Sequence, residues 1–240
     1  MGTLKSRVGS VVIPWLPLSR RSFNISRHEL RAFRTRALNA MSLTYRQRVS
    51  DLQAQRHLSV NLGSGGKGLA GWVNIEIVPM PDTTLCLDIR RPLPLADASV
   101  ARLLAEHIVE HFDFVEELPA VLADWHRVLE PGGVVRIVVP DTKRYLQAYV
   151  SGDPEHWHAL GWDMTRLPHG LYTAMHVVNH VFHQDGEHLF AYDYETLSWA
   201  LGRAGFSTVE QTRYQVSRDP QLAIDQANHA PYSLYVEAVK

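Results

Sequence analysis

The sequence predicts an α/β protein, a largely parallel sheet with helices on both of its faces. Three observations carry this expectation. From Leu58 onward short apolar runs alternate with helical patterns, the sequence form of a parallel sheet covered on both sides. The first run, residues 58–62, opens directly into Gly63-Ser64-Gly65-Gly66-Lys67-Gly68. A glycine-rich turn after a first strand is where such sheets bind nucleotides, because glycine lets the backbone approach a ligand closely. Near the end, residues 207–214 and 232–239 are two β-prone runs able to pair at one edge.

Composition bounds the rest. The 240 residues suffice for one domain with a substantial core, and 45% hydrophobic with 20% charged residues excludes wholesale disorder and fibrous folds. A formal net charge of −1 gives no global field that would gather nucleic acid or an acidic membrane. Cys86 is alone, which excludes an intramolecular disulfide and a cysteine-based zinc site, and a reducing cytoplasm is the simplest fit. The neutral average hides an asymmetry: up to residue 58 there are eleven Lys and Arg against two acids, Glu29 and Asp51.

The first elements lie in that basic stretch. Residues 11–18 form an apolar run too short, and too interrupted by Pro14 and Pro17, to span a membrane or serve as a signal peptide. Ser19-Arg20-Arg21-Ser22-Phe23 has the look of a twin-arginine export signal, but an arginine-studded helix follows where an apolar region should, so it reads as coincidence. Ser26 and Glu29 read as a capping box opening a helix, with Leu30, Phe33, Ala37, Met41 and Tyr45 recurring at helical spacing. That apolar stripe is expected to dock on the main domain. An arm facing phosphates or a membrane comes second, and an organelle transit peptide third. Residues 1–57 are thus a basic N-terminal extension, and 58–240 the main domain.

The second strand run, residues 72–77, brings Glu76 to a strand end, where a carboxylate can accept from both ribose hydroxyls of an adenosine. The third, residues 84–89, places Asp88 equivalently, able to accept from an adenine amino group with Ile89 packed on the ring. Two other readings of the glycine turn are weaker. Lys67 is followed by Gly68, which rules against a P-loop. Gly63, Gly65 and Gly68 satisfy G-x-G-x-x-G formally, but the dinucleotide fingerprint wants a full helix next and an acid about 20 residues on. Here the second strand follows after a handful of residues.

Five stretches then carry a specific resemblance: Asn61-Leu62-Gly63-Ser64-Gly65; Gly71 to Glu76; Asp88 to Asp97; Glu106-His107-Ile108-Val109-Glu110-His111; and Trp125 to Gly133 running into Val134 to Pro140. Together they resemble a class I S-adenosylmethionine-dependent methyltransferase, and more narrowly the small bacterial branch often encoded among genes for cell-surface polysaccharides. The match covers about residues 58–145 and returns in Tyr194-Glu195-Thr196-Leu197, Ala204-Gly205-Phe206 and Tyr232 to Ala238. Departures are Glu76 where Asp is commoner, Ser64 where Cys is commoner, and the short first crossover. The resemblance implies a Rossmann-like, seven-stranded sheet of order 3-2-1-4-5-7-6 with the last strand antiparallel. It also implies S-adenosylmethionine as cofactor and S-adenosylhomocysteine as product. Gly63 and Gly65 would pass the methionine part, Glu76 would hold the ribose, Asp88 with Ile89 would sit at the adenine, and Glu106 with His107 would face the sulfonium; Asn61 and Ser64 complete the cofactor-binding set.

Methyl transfer from a sulfonium is an in-line displacement, so alignment and exclusion of water do most of the work, while a sugar hydroxyl also needs a base. His111 is the first candidate for a base or acceptor-orienting group. His107, four residues earlier at an expected helix start, and Asp141, after the fifth strand, come next. Residues 107–111 also spell H-x-x-E-H, which on a helix can place two imidazoles on a zinc. Inside this framework a peptidase is set aside. A divalent metal completed by the histidines of residues 176–188 ranks behind a metal-free site. The bland reading of those histidines is a roof over the acceptor pocket, with His176 and His180 on one helical face and His183 or His188 bonded to backbone. The region of about 145–190, with Trp157, Trp162 and Tyr172, is expected to be an inserted acceptor or lid segment. The expected reaction is O-methylation of a small molecule or glycan precursor by a cytoplasmic enzyme. Nucleic acid is disfavoured as a partner, and a homo-oligomer stays open. The rivals are an NAD-dependent oxidoreductase and a non-catalytic methyltransferase-like binding protein.

Overall fold

A computed structural model describes residues 20–240. Residues 11–18 lie outside it, as does the start of the arginine pair's motif. A seven-stranded sheet forms the centre, in the order β3-β2-β1-β4-β5-β7-β6. Its strands are β1 Leu58–Leu62, β2 Val73–Glu76, β3 Leu85–Cys86, β4 Val100–Glu106, β5 Leu129–Pro140, β6 Thr208–Thr212 and β7 Ser233–Val239. The pairs among β1 to β5 are parallel, whereas β7 runs antiparallel to both β5 and β6. This is the order the resemblance implied. The central strands are buried on both faces, every residue of β4 included, which is why they read as near-continuous apolar runs.

The helices cover that sheet. They are α1 Arg20–Met41, α2 Leu43–Gln53, α3 Leu118–Val128, α4 Thr142–Ser151, α5 Pro154–Ala159, α6 Ala174–His183 and α7 Tyr194–Arg203. In α3 the buried Leu118, Val121, Leu122, Trp125 and Val128 fall at helical spacing against the sheet. Asp141, Thr173 and Asp193 cap α4, α6 and α7 by accepting from the N–H groups of Arg144, His176 and Thr196. The segment from α4 to α6 has a small core of its own, in which Tyr145, Trp157, Leu160, Val177 and Val178 are buried. Trp157 therefore supports this segment from within, while Tyr172 stands 70% exposed.

Two expectations for the N-terminal helix fail. It begins no later than Arg20, six residues before the expected cap, so Ser26 and Glu29 sit inside it and make no capping box. The apolar stripe also docks only at its end: Leu30, Phe33 and Met41 are 65%, 64% and 72% exposed, whereas Tyr45, beyond a break at Ser42, packs against the main core from α2. Instead α1 docks by small and polar side chains. Ala32 is fully buried, Thr35 Oγ1 donates to the Ile77 carbonyl (2.7 Å) and Asn39 Nδ2 donates to the Cys86 carbonyl (2.8 Å). Ile77 follows β2 and Cys86 ends β3, so the helix satisfies backbone groups left open where these two short strands stop. Among the described residues no helix is long and apolar enough to cross a membrane.

Candidate active site

Parallel strands bring their carboxyl ends to one edge, and the crevice falls where the chain order reverses, here between β1 and β4. Leu62 at the end of β1 lies opposite Ile75 of β2 and Ala105 of β4. Beyond them opens a cavity of about 450 Å³ lined by Gly63, Glu76, Asp88, Ile89, Ile108 and His111, among others. That is within the usual size of a ligand pocket, roughly 300–1,000 Å³. A more open depression of about 910 Å³ over α4 and α5 contains no strand-end residue, and offers no comparable convergence of groups.

The glycine turn shapes the cavity floor. Gly63 has φ +63°, and a Cβ there would lie 1.9 Å from Ile108 Cδ1, so the left-handed backbone and the close approach both demand glycine. Gly65 N–H donates to Glu76 Oε2 (3.0 Å), and Ile77 N–H donates to Glu76 Oε1 (2.7 Å). Glu76 is thereby fixed at the rim with lone pairs to spare. Ser64 is buried, and its hydroxyl finds no partner. Only turns join β1 to β2, so the helix that a dinucleotide fingerprint requires is absent. Asn61 does not line the cavity; its Nδ2 donates to Asn74 Oδ1 (3.1 Å) and ties β1 to β2.

At the β3 end Asp88 is almost wholly buried. It accepts from Arg90 Nε (2.9 Å) and Nη2 (3.1 Å), with Arg36 Nη1 of α1 at 3.5 Å. Arg90 also pairs with Glu29 of α1, and Arg27 lies 3.7 Å from Glu187. These pairs hold α1 across the cavity as a roof. Burial works to raise the Asp88 carboxyl, but the Arg90 hydrogen bonds and charge hold it below the usual carboxylate range. A folded-state value below the ordinary value of about 3.9 means the stabilisation is complete well above that pH and is lost as pH falls through the folded value. Urea unfolding from pH 6 to pH 3 should therefore show a loss of stability in the acid limb that is shallower in Arg90→Gln. Parallel acid limbs would remove Asp88 from the account.

The β4 end carries the titratable cluster. Glu106 Oε1 accepts from Gln226 N–H (3.1 Å) and His229 Nδ1 (2.8 Å). Burial pushes its carboxyl up, but those two bonds, with the charges of His229 and His107, hold it below the usual range. The expected helix start at His107 is a correction: His107 has φ +55°, and only a single 3₁₀ turn, Val109–His111, follows. His107 and His111 consequently share no helical face. His107 Nε2 contacts Ser233 Oγ (2.9 Å) and its ring lies 4.0 Å from that of His229, whereas His111 turns to the cavity and its Nδ1 lies 2.8 Å from the Glu187 carbonyl. Asp141, the helix cap, lies outside the cavity, and burial raises its carboxyl against the opposing Arg144 N–H.

The geometry thus gathers Gly63, Glu76, Asp88, Ile89 and His111 on one cavity. Ser64, Gly65, Glu106 and His107 belong to the surrounding strand ends, and Asn61 and Asp141 are engaged elsewhere. His188, His229 and Arg90 are neighbours of the site that no local sequence pattern singles out as site residues. His188 stood in the histidine-rich segment, and its Nδ1 bonds the Val181 carbonyl (2.6 Å) as one reading of that segment expected. His176 and His180 do sit together on α6, both exposed.

Residues 72–137 match a family model described as a methyltransferase domain. A search of curated protein sequences finds no match to the chain. Among solved structures, the chain is similar to an S-adenosylmethionine-dependent methyltransferase from Archaeoglobus fulgidus, at 18% identity over 88% of this chain and 94% of that one, with a TM-score of 0.49. It is also similar to the 1,6-didemethyltoxoflavin-N1-methyltransferase of Burkholderia thailandensis, at 15% identity over 94% and 92% with a TM-score of 0.47. A third likeness is to an S-adenosylmethionine-dependent methyltransferase from Mesorhizobium loti, at 18% identity over 84% and 99% with a TM-score of 0.44.

Proposed function

We propose that the chain is a class I S-adenosylmethionine-dependent methyltransferase, a reading supported by the methyltransferase-domain match over residues 72–137 and by the sheet order, and that it methylates an oxygen of a small molecule or glycan precursor in the cytoplasm. The observation that carries this reading is His111 at the wall of the same cavity of about 450 Å³ that Gly63, Glu76 and Asp88 line. A carbonyl can only accept, so the Nδ1 of His111 is the donor to Glu187 O, and a neutral ring then keeps Nε2 free to take a proton. A hydroxyl acceptor needs such a group, and imidazole is suited to neutral pH.

The residues present fit the cofactor. The left-handed turn at Gly63, the partnerless Ser64 hydroxyl and the fixed Glu76 carboxylate suit its methionine and ribose parts, with Gly65 in the same turn and Asn61 in the strand before it. Bound there, S-adenosylmethionine supplies an electrophilic methyl group. Ile89 offers an apolar face for adenine and Asp88 closes that end. Glu106, held ionised by His229, adds negative charge near a sulfonium, and His107 orients the strand end. Asp141 remains a candidate only if α4 shifts, since it caps that helix. In this reading residues 1–57 are an extension, of which α1 roofs a domain of residues 58–240, and the region of about 145–190 supplies the acceptor side through Gly186, Glu187 and Leu189.

A screen of hydroxylated small molecules and nucleotide sugars with radiolabelled methyl donor tests the proposal. The expected result is transfer to a hydroxyl acceptor, with kcat reduced by about 10²–10⁴-fold in His111→Ala and donor affinity unchanged. Transfer to nitrogen, or full activity in His111→Ala, would overturn the oxygen and base assignments.

A further inference from the structure

Glu110 has no role in the site as described so far, yet it is among the most constrained side chains in the molecule. It is 1% exposed, and neither carboxylate oxygen accepts a hydrogen bond. His107 Nδ1 lies 3.1 Å from Oε1, close enough for an ion pair but outside hydrogen-bond geometry. His107 offsets part of the buried charge through Oε1, while Oε2 has no partner at all, and a buried carboxylate oxygen in that state calls for an occupant beside it. Two imidazoles face the same point. One donor atom from each of Glu110, His111 and His188 lies within 4.8 Å of the other two, and the two rings stand nearly perpendicular with centroids 4.9 Å apart.

Both rings are already set for ligation. His111 Nδ1 donates to the Glu187 carbonyl and His188 Nδ1 donates to the Val181 carbonyl (2.6 Å), so in each neutral ring Nε2 carries the free lone pair. A backbone carbonyl holding the remote nitrogen is the usual support for a metal-binding histidine. The two segments are also tied together, because the N–H groups of Leu189 (2.8 Å) and Phe190 (3.3 Å) both donate to the Glu110 carbonyl. We propose that Glu110, His111 and His188 form a site for a divalent first-row transition metal ion at the edge of the cavity.

Two imidazoles and one carboxylate select zinc, iron, cobalt or manganese over calcium and magnesium, which prefer oxygen ligands. Metal–ligand bonds of about 2.0–2.2 Å put donors roughly 3.5 Å apart, so binding draws the three together by no more than about an ångström. Three protein ligands leave coordination positions open, and His111 and Glu187 line the cavity, so an acceptor oxygen can enter one of them. This deepens the reading of His111. The one lone pair on Nε2 cannot hold an ion and take a proton at once, so with the ion bound His111 is a ligand and not the base, and the acceptor hydroxyl, made more acidic by coordination, gives up its proton to solvent.

The test needs no turnover and so stands apart from the methyltransferase reading. The full chain, stripped with a chelator, is titrated with cobalt(II) followed by its visible absorption, and then with zinc as competitor. The expected result is one ion per chain, with affinity reduced by about 10–100-fold or more in His111→Asn, His188→Asn and Glu110→Gln. Glu110→Gln keeps the shape and removes a buried charge, so it guards against a result due only to misfolding. His176→Asn/His180→Asn removes the exposed pair on α6 and should change nothing. No binding, or binding lost only in that α6 variant, would overturn the proposal.

Discussion

Glu76→Ala is expected to weaken S-adenosylmethionine and S-adenosylhomocysteine by at least about 100-fold in a calorimetric titration, with no NAD binding to either protein. Glu76 ends β2 at the cavity, its two oxygens held by the N–H groups of Gly65 and Ile77. Each oxygen has a second lone pair, enough for both hydroxyls of a ribose. A hydrogen bond to a charged group contributes about 1.5–3 kcal/mol, so losing two exceeds the roughly 2.7 kcal/mol that corresponds to 100-fold. The substitution also frees the Gly65 N–H, which loosens the turn that would carry the methionine part. Glu76→Gln keeps one acceptor oxygen and should fall between. Unchanged affinity in Glu76→Ala would remove the ribose assignment, and NAD binding would reopen the dinucleotide reading.

What the sequence made legible is what backbone chemistry dictates. The glycine turn, the acids at two strand ends and the terminal β-prone pair all follow from local rules, and the sheet order followed once the resemblance was in hand. The docked face of α1 was not legible. Leu30, Phe33 and Met41 mark an apolar stripe, but periodicity says that a face is apolar and not that it is covered. Thr35 and Asn39 prevailed because the carbonyls of Ile77 and Cys86 needed donors, and nothing local in the sequence announces that need. The H-x-x-E-H spelling misled in the same way. It assumes a helix, whereas His107 has a positive φ, and the side chains that do converge are Glu110, His111 and a histidine 77 positions further on, His188. Asp141 was read correctly as the residue after a strand, yet that place is also the start of α4, and capping engages its carboxylate.

Arg136→Met is expected to cost about 3–5 kcal/mol of unfolding free energy in urea, the largest stability loss of any single change at a charged residue here. The run of residues 134–140 reads as an apolar strand with one arginine in it, and that arginine is fully buried in the middle of β5. All five of its N–H donors are used. Nε and Nη2 grip Asp225 (both 2.6 Å), Nη1 reaches Glu237 (2.7 Å) and the Val216 carbonyl (3.0 Å), and Nη2 also reaches the Arg213 carbonyl (2.9 Å). The guanidinium carbon lies 5.1 Å from the centre of the Tyr235 ring. Methionine fills much of the volume but leaves Asp225 and Glu237 buried without their cation, and that uncompensated charge dominates the cost. Adding Asp225→Asn and Glu237→Gln to Arg136→Met should therefore recover a good part of the loss. Arg136→Lys should not, because an ammonium cannot span both carboxylates and two carbonyls in one plane. The consequence reaches the active site. Arg136 pins the loop containing Val216 and Asp225, and the next residues supply Gln226 N–H and His229 to Glu106. A variant that unfolds within about 1 kcal/mol of the native protein would show that the loop holds its place by other contacts. A loss that the double neutralisation does not relieve would place the cost in packing rather than in charge.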